Sequence, residues 1–273
     1  MSNSKVTVNE KQWKSFCKTL QGISKQCNDA VINDGVIRQR SNDSSAIVEV
    51  DMTSMLGSST FSIANIKEEL NRLKGLTGQV TIETDQQKVV FSDGVSSYNM
   101  PAPDKNYLDN KYMSKEDLDS LLPNLSQGTT PLIKYTIEKK NLKRIKNAAS
   151  TFHANSYKVV FDNHSASIIV EGYGGSKGSK PSVDIFKDIP LSEPTTGNTR
   201  LVVSPYDSFD YDGDVGWEVY RGEKGFLSKN YGSIGDVTVS TYTRGELKND
   251  EPEPAPQAEE SPEGGVETSE TEG

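Results

Sequence analysis

Cysteine and histidine are scarce in this chain, which has two of each. Metal sites and nucleophile–base pairs draw heavily on these residue types. Neither His153 nor His164 lies in a recognisable relation to a nucleophile or a ligand set. Cys17 falls on the apolar side of a predicted helix, where cysteine acts as a small hydrophobic residue in a reducing interior. We therefore expect no disulfide, metal site, cofactor or enzymatic activity.

Long apolar runs are also missing from the sequence. No stretch approaches the roughly 20 apolar residues that a membrane span requires. The first residues lack the charged and apolar segments of a signal peptide. The sequence thus predicts a soluble, cytoplasmic protein that is not exported and has no membrane partner.

Apolar residues make up only 33% of the chain, and the C-terminal segment explains part of this deficit. Residues 246–273 contain ten acids, one base and no aromatic residue, whereas the whole chain has 39 acids and 30 bases. The remainder is therefore neutral overall. Such a segment cannot bury enough apolar surface to offset its ordering entropy, so we predict a disordered acidic tail. Solubility is its simplest role; alternatively, it competes weakly with nucleic acid for a basic surface.

The sequence does contain an internal repeat. Residues 6–101 and 133–242 each begin with a short strand, continue into a helix with a lysine-rich side, and end with a shorter helix and three strands. The first copy has predicted helices at 10–23 and 65–76 and strands at 6–8, 80–84, 88–92 and 97–100. The second has predicted helices at 139–152 and 205–209 and strands at 133–138, 217–220, 225–230 and 237–242.

Further alternating segments predict strands at 31–38, 46–52, 157–162, 167–171 and 200–203. Hairpin signals occur at 33–35, 93–94, 162–163 and 221–222, where the residue types tolerate positive φ. Because strands outnumber helices and the helices are amphipathic, the pattern indicates an α+β fold.

The first helix of each copy is strongly basic on its polar side. At about 100° per residue, the bases and the apolar residues separate onto different sides of the helix. The bases are Lys11, Lys14, Lys18 and Lys25 in the first copy, and Lys139, Lys140, Lys143, Arg144 and Lys146 in the second. On the shorter helix, Glu68 and Glu69 dilute the charge of Lys67, Arg72 and Lys74. A lysine face is often merely solvated, but two at matching positions of a repeat indicate a surface that faces a polyanion.

Two apparent motifs fail on their spacing. The alternating carboxylates of Asp210, Asp212 and Asp214 suggest a calcium loop, but Val215 and Arg221 replace its required glycine and glutamate. The glycine-rich run at 172–180 does not have the spacing of a phosphate-binding P-loop and precedes no helix. We interpret the first as a turn and the second as a basic loop.

The connector between the copies has a helix of its own. Ser114 followed by Asp117 resembles a capping box, and Leu118, Leu121 and Leu122 lie on one side before Pro123 ends the helix. This segment is either structural filler, or packs across the domains, or covers a partner groove. The predicted division is a first domain at 1–113, a connector at 114–131, a second domain at 132–245 and the tail at 246–273.

This order of elements, with its basic helices, resembles the DNA sliding clamp family, most closely the T-even-type phage processivity clamps and more distantly proliferating cell nuclear antigen (PCNA). The segment 137–142 resembles the strand-into-helix opening of the family's second domain. Segments 211–220 and 237–242 resemble its closing strands, and 35–46 is similar to the second hairpin of the first domain.

The resemblance implies two clamp-type domains per chain and a homotrimer that closes head to tail into a ring of six domains. Closure would pair edge strands that are otherwise exposed. The helix bases would line the hole and attract the phosphates of double-stranded DNA without reading its sequence. On this basis the DNA-binding candidates are Lys11, Lys14, Lys18, Lys25, Lys67, Arg72, Lys74, Lys139, Lys140, Lys143, Arg144 and Lys146.

The resemblance also implies partners. Family members bind polymerase and clamp-loader peptides in an apolar groove beneath the connector. The positions that match approximately here are Ala46, Val48, Leu121, Leu122, Pro123, Val239 and Tyr242. A longer connector with its own helix, an acidic fourth helix and the acidic tail are departures from the family.

The sequence as a whole therefore predicts a non-enzymatic, phage-encoded processivity factor that tethers the replicative DNA polymerase to duplex DNA in the host cytoplasm. The alternative is a β-rich structural or virion assembly protein whose basic helices are simply exposed. A single-strand binding protein would need aromatic residues among its bases on a strand surface. Here the aromatic residues of the basic helices lie on the buried side.

Overall fold

The computed structural model describes residues 4–85, 87–102, 110–122, 128–172, 181–202, 208–222 and 225–248. The helices are α1 Glu10–Ile23, α2 Thr53–Leu56, α3 Ile66–Leu73, α4 Lys115–Leu121 and α5 Lys139–Phe152. The strands of the first half are β1 Ser4–Val8, β2 Ala30–Ile32, β3 Val36–Arg40, β4 Ala46–Asp51, β5 Phe61–Ile63, β6 Val80–Thr84, β7 Lys88–Ser92 and β8 Ser97–Pro101. Those of the second half are β9 Ile133–Ile137, β10 Ser156–Glu171, β11 Ser182–Val202, β12 Val215–Arg221, β13 Gly225–Ile234 and β14 Val237–Lys248.

The repeat appears in the sheets as well as in the order of elements. The first half pairs its strands in the order β1-β6-β7-β8, and the second half in the matching order β9-β12-β13-β14, all antiparallel. In each half the opening strand is followed by a 14-residue helix, α1 or α5. The α+β prediction, the repeat and the bounds of both long helices are thereby confirmed. The helix predicted at 205–209 falls mostly outside the described residues.

One sheet crosses from the first half into the second. β4 pairs antiparallel with β14, from Ala46 opposite Thr243 to Asp51 opposite Thr238. The sheet therefore runs β3-β4-β14-β13-β12-β9. Because side chains alternate between the faces of a strand, β14 sends Val239 into the main core and Tyr242 to the opposite face. The two halves share one sheet and one core.

The hairpin signals had mixed outcomes. At 33–35 the chain does turn, with Asp34 and Gly35 both at positive φ (48° and 73°), as a tight hairpin requires. At 162–163 it does not turn, because β10 is continuous from Ser156 to Glu171. Asn163 instead lies at φ 51° beside a register shift, which marks a β-bulge. Residue types that tolerate positive φ serve both turns and bulges, so the predicted hairpin at 162–163 was wrong.

The last strand is longer than its alternating pattern indicated. β14 continues to Lys248, and its final residues pair with both β13 and β11. The first three residues of the segment predicted as a tail, 246–248, are therefore part of the sheet. The rest of that segment lies outside the described residues.

Both cysteines are buried and unpaired. Burial raises the pKa of the Cys17 thiol to about 12, although the nearby Lys74 opposes this change. Both thiols therefore stay protonated near neutrality and pack as small apolar groups. Within the described ranges, no helix combines the length and apolar character needed to cross a bilayer.

Candidate functional site: a basic helix face and a connector groove

Helix α1 is buried on two sides, which leaves only its basic stripe exposed. Trp13, Phe16 and Leu20 pack into the main core, as their spacing predicted. Thr19 and Gly22 are also buried, although sequence reasoning left that side of the helix unassigned. A Cβ on Gly22 would lie 2.3 Å from Cδ1 of Phe209, so only glycine allows this approach between α1 and the second half. The small residues at positions 15, 19 and 22 are the signal that could have revealed this contact.

Lys18 belongs to the basic side of α1, but its side chain forms ion pairs with acidic residues of the second half. Its Nζ lies 2.7 Å from Oδ1 of Asp212 and 3.3 Å from Oδ2 of Asp210. Partial burial lowers the pKa of Lys18, but the hydrogen bond to Asp212 and the two negative charges outweigh it, so the net shift is upward. The pKa of Asp212 is lowered, first by the hydrogen bond from Lys18 and then by one from the Gly235 amide at 2.6 Å.

We call residues 208–214 the acidic turn, and its other side contacts α5. The Lys139 amide donates to Oδ1 of Asp214 at 2.9 Å, and Nζ of Lys139 lies 3.3 Å from the Asp212 carbonyl oxygen. Nζ of Lys146 lies 3.3 Å from the Phe209 carbonyl oxygen. The carboxylates that suggested a calcium loop thus bind groups of this chain. In the part of the chain that the structure describes, no three candidate ligands come together as a metal site.

The basic helices of the two halves consequently lie on one continuous surface, which we call the helix face. Directly after α3, Lys74 donates to the Gln21 side chain of α1 at 3.0 Å. From there the surface continues across α1 and the acidic turn to α5. These contacts bring bases from both halves of the repeat together around the acidic turn.

The predicted DNA-binding residues differ in whether they form an ion pair with another residue of the chain. Lys11, Lys67 and Lys143 are exposed, and none of them forms an ion pair with a described residue. Among the described residues, Arg144 has one side-chain partner, the Asn141 side-chain oxygen at 3.4 Å. Nζ of Lys139 and of Lys146 each lie 3.3 Å from a backbone carbonyl oxygen of the acidic turn.

Other members of the predicted set have acidic partners. Lys14 lies 2.5 Å from Glu10, and Lys140 pairs with Glu138. Lys25 lies beyond the end of α1 at Ile23. Within this set, Lys18 joins the two halves, and Arg72 pairs with acids of its own helix. DNA binding by these residues stays a prediction.

Arg72 belongs to a local network rather than to the free charge of the helix face. It lies 3.0 Å from Glu68 and 3.2 Å from Glu69, and it donates to the Tyr98 hydroxyl at 2.7 Å. Its guanidinium also lies 5.6 Å from the centre of the Tyr98 ring, which favours a cation–π contact. Two carboxylates compensate one guanidinium here, so little positive charge remains for a phosphate.

The opposite face of the shared sheet carries a second feature, the connector helix α4. Ser114 caps it as predicted: its Oγ accepts from the Asp117 amide at 3.0 Å, and Asp117 accepts from the Ser114 amide at 3.2 Å. Leu118 and Leu122 are buried in a cluster that is separate from the main core. The cluster consists of Leu118, Leu122, Tyr220, Leu227 and Tyr242, with Ile47, Met113 and Leu121 partly buried around it.

Beside this cluster is a cavity of about 140 Å³. We call it, together with the cluster, the connector groove. Its lining consists of Arg40, Ser44, Ser45, Ala46, Ile47, Leu121, Leu122, Leu227, Tyr242 and Arg244. The structure thus brings together Ala46, Leu121, Leu122 and Tyr242 of the predicted partner-binding set, from three separate parts of the chain.

Val48 and Val239 are not part of the groove, which corrects the predicted set. Both are fully buried in the main core, on the other face of the sheet. The residues that face the groove are Ile47 and Tyr242, which pair across β4 and β14. Because Val239 and Tyr242 are three residues apart on β14, the period-2 alternation of a strand could have shown that they face opposite sides of the sheet. Pro123 lies outside the described residues.

A charged network supports the floor of the groove. Arg38 lies 2.7 Å from Glu49, and the Tyr242 hydroxyl donates to the other oxygen of Glu49 at 2.7 Å. Burial raises the pKa of Tyr242, and the adjacent Glu49 raises it further. Tyr242 therefore remains a neutral donor, with its ring held toward α4.

Comparisons with known proteins bear on the fold of this chain. No protein-family model matches it, and no curated protein sequence matches it. Among solved structures, it is similar to A. fulgidus PCNA bound to the C-terminal region of FEN-1, with a TM-score of 0.59, 12% identity, and coverage of 90% of this chain and 99% of that one. It is also similar to the PCNA2–PCNA3 complex of Sulfolobus tokodaii, with a TM-score of 0.57, 12% identity, and coverage of 89% and 99%. The fold of this chain is therefore that of PCNA-type sliding clamps, over almost their full length.

Proposed function

We propose that this chain is a DNA sliding clamp, a non-enzymatic protein that encircles duplex DNA and tethers a replicative polymerase to it. The main support is the position of α1, α3 and α5. Bases from both halves of a clamp-type fold gather on one surface, and ammonium groups there attract phosphates without reading bases. Such contacts are weak and sensitive to salt, which suits a protein that slides.

We propose further that three copies close head to tail into a ring. Among the described strands, β8 pairs only with β7 and β10 only with β11, so each has one free edge. Exposed edges favour pairing with another chain, and a closed ring would satisfy them. The S. tokodaii structure is itself a complex of two PCNA subunits.

The connector groove is the proposed docking site for polymerase and clamp-loader segments. It is apolar at its floor, has basic side chains at its rim, and lies on the face of the shared sheet opposite the helix face. The A. fulgidus PCNA was solved with a bound region of another protein, FEN-1. From the sequence resemblance, we also propose that the protein is a phage-encoded clamp of the T-even type and that it acts in the host cytoplasm.

Two measurements test the proposed function. Sedimentation equilibrium should give a mass three times that of the chain. Protein loaded on a nicked circular plasmid should stay bound at high salt and should dissociate when a restriction enzyme linearises the plasmid, because only topology retains it. A stable monomer or an open polymer, or equal retention on circular and linear DNA, would instead favour the structural-protein alternative.

A further inference from the structure

The connector groove already has an occupant, which is the chain's own helix α4. Leu118 and Leu122 are 1% and 2% exposed, and their contacts are with Tyr220, Leu227 and Tyr242. These two leucines are four residues apart and lie on one side of the helix. Without them, the three residues beneath would present an open apolar patch on the surface of the sheet.

Few contacts attach α4 to the sheet. The helix has seven residues, and isolated helices shorter than about 12 residues are marginal in water, so α4 depends on its docking. Outside the leucine cluster, it is tied at its ends. The Met113 amide donates to the Arg38 carbonyl oxygen at 2.8 Å, and Arg244 donates to the Leu121 carbonyl oxygen. A third bond ties the segment just before the helix, where a guanidinium nitrogen of Arg38 donates to the Tyr112 hydroxyl at 2.8 Å. The Lys115–Asp119 pair at 2.7 Å is internal to the helix and would survive its release.

The rim of the groove is basic. Arg40 and Arg244 both line the cavity, and Arg244 would lose its acceptor if α4 left. Helix α4 is itself acidic, with Glu116, Asp117 and Asp119 next to its leucines; Asp117 accepts from Ser114, and Asp119 pairs with Lys115. Helix α4, which occupies the groove of its own chain, thus shows what the groove selects. It selects two large apolar side chains one helical turn apart, next to carboxylates.

We propose that α4 is a displaceable occupant of the connector groove, and that a partner segment with two apolar side chains one helical turn apart and an acidic flank binds by taking the places of Leu118 and Leu122. The inference rests on the proposed function for the identity of the partner. It adds that a partner segment docks by replacing α4 in the groove. Affinity for a partner is then set by the difference between its contacts and those of α4, and the fraction of molecules with α4 released limits apparent affinity.

The chain supplies its own probe for this exchange. A fluorescent peptide of residues 112–122 should bind a Leu118→Ser/Leu122→Ser protein, whose groove is empty, at least about tenfold more tightly than the wild type, whose groove is filled. The control peptide carries the same two serines and should bind neither protein. The control protein, Ser120→Ala, changes only an exposed position of α4 and should bind like the wild type. Equal affinity for the emptied and the filled protein, or no binding to the emptied one, would overturn the proposal.

Hydrogen exchange on the wild type tests the same inference without a variant that could misfold. The Leu118 and Leu122 amides are bonded within α4, to the carbonyl oxygens of Ser114 and Leu118. They should exchange at least about a hundredfold faster than the amides of Leu227 and Tyr242 if the helix detaches while the sheet stays folded. Exchange as slow as that of the sheet would count against the proposal.

Retention on circular plasmid, measured on the same proteins, separates the two ideas. If retention is normal but the peptide test fails, only the exchange is refuted. If no protein is retained topologically, the proposed function fails, whatever the peptide does.

Discussion

Helices α1 and α5 occupy the same place in the two halves of the repeat, yet they use their charge differently. Lys14 and Lys18 of α1 face carboxylates, and Lys18 joins the halves through Asp212. On α5, Lys143 has no ion pair with a described residue, and Lys139 contacts a carbonyl oxygen. A duplicated helix has thus kept its basic character in both copies while its lysines do different work. In α1 Lys18 joins the halves, whereas in α5 the adjacent Lys143 and Arg144 have no ion pair with a described residue.

The largest expected effect comes from breaking the packing of α1 against the second half. Gly22→Ala would place a Cβ 2.3 Å from the Phe209 ring, so either the helix or the ring must move. Overpacking of this kind costs about 1–3 kcal/mol, which urea unfolding can measure. Gly213→Ala, with nothing within 4 Å of its new Cβ, is the matched control and should cost little. If both variants unfold alike, Gly22 is not what seats α1.

The second prediction compares the exposed charges of the two helices directly. Lys143→Ala/Arg144→Ala on α5 should lower the affinity for duplex DNA by about tenfold at low salt and flatten the salt dependence by about two phosphate contacts.

The matched variant, Lys11→Ala/Lys14→Ala on α1, removes the same formal charge. It should lower affinity only about threefold, because Glu10 already neutralises Lys14. Titrations at several salt concentrations would measure both effects. Equal losses, or a larger loss from α1, would contradict the difference between the helices.

The third prediction concerns Asp212 and acid. Its pKa is lowered in the folded protein. Its contribution to stability is therefore present above the ordinary aspartate pKa of about 4 and is lost as pH falls through the folded value. Asp212→Asn should lower the free energy of unfolding at neutral pH by about 1 kcal/mol, since the pair is half exposed.

Chemical unfolding across pH checks the sign of this effect. The gap between the wild type and Asp212→Asn should start to narrow below about pH 4 and should close only below the lowered pKa of the folded carboxylate, where the wild-type group is protonated as well. Asp34→Asn, at an exposed turn position with no ion pair to a described residue, is the control and should show no gap. A gap that persists in strong acid would mean that Lys18 and Asp212 do not join the halves electrostatically.

The smallest expected effect is that of the acidic tail on the free charge of α5. Truncation after Lys248, rather than at Glu246, keeps the last pairs of β14 intact. If the tail competes with DNA, its removal should raise affinity at low salt by about twofold and have no effect at high salt. A full-length protein with the tail acids changed to their amides should behave like the truncated one. Unchanged affinity at low salt would remove the idea of competition.

Local patterns predicted much of this fold. The bounds of α1 and α5 follow from periodic apolar residues, and the cap of α4 follows from Ser114 and Asp117, because the information lies within a few residues. The pairing of β4 with β14 does not, since any alternating edge strand could have been the partner. Asn163 marked a special backbone position correctly but could not say whether the chain turns or bulges there.

The candidate site was predictable to the same extent. The basic stripes were visible, but the partner of Lys18 lies nearly two hundred residues away, in a segment that resembled a failed calcium loop. A sequence shows how many charged residues are present, but it does not show how many of them pair with a residue of opposite charge. The error at Val239 was different in kind, because strand alternation alone places it on the opposite face from Tyr242. Val48 could be excluded only once the pairing of β4 with β14 was known.

The sheet that spans both halves has a consequence for biosynthesis. β4 emerges early from the ribosome, but β14 is made only after almost all of the chain that the structure describes. Until then β4 has only β3 beside it, with one side of its backbone unpaired and open to association with other nascent chains. The β3–β4 hairpin of the first half therefore stays an incomplete sheet until the second half is made, whereas the sheet β1-β6-β7-β8 needs only residues of the first half.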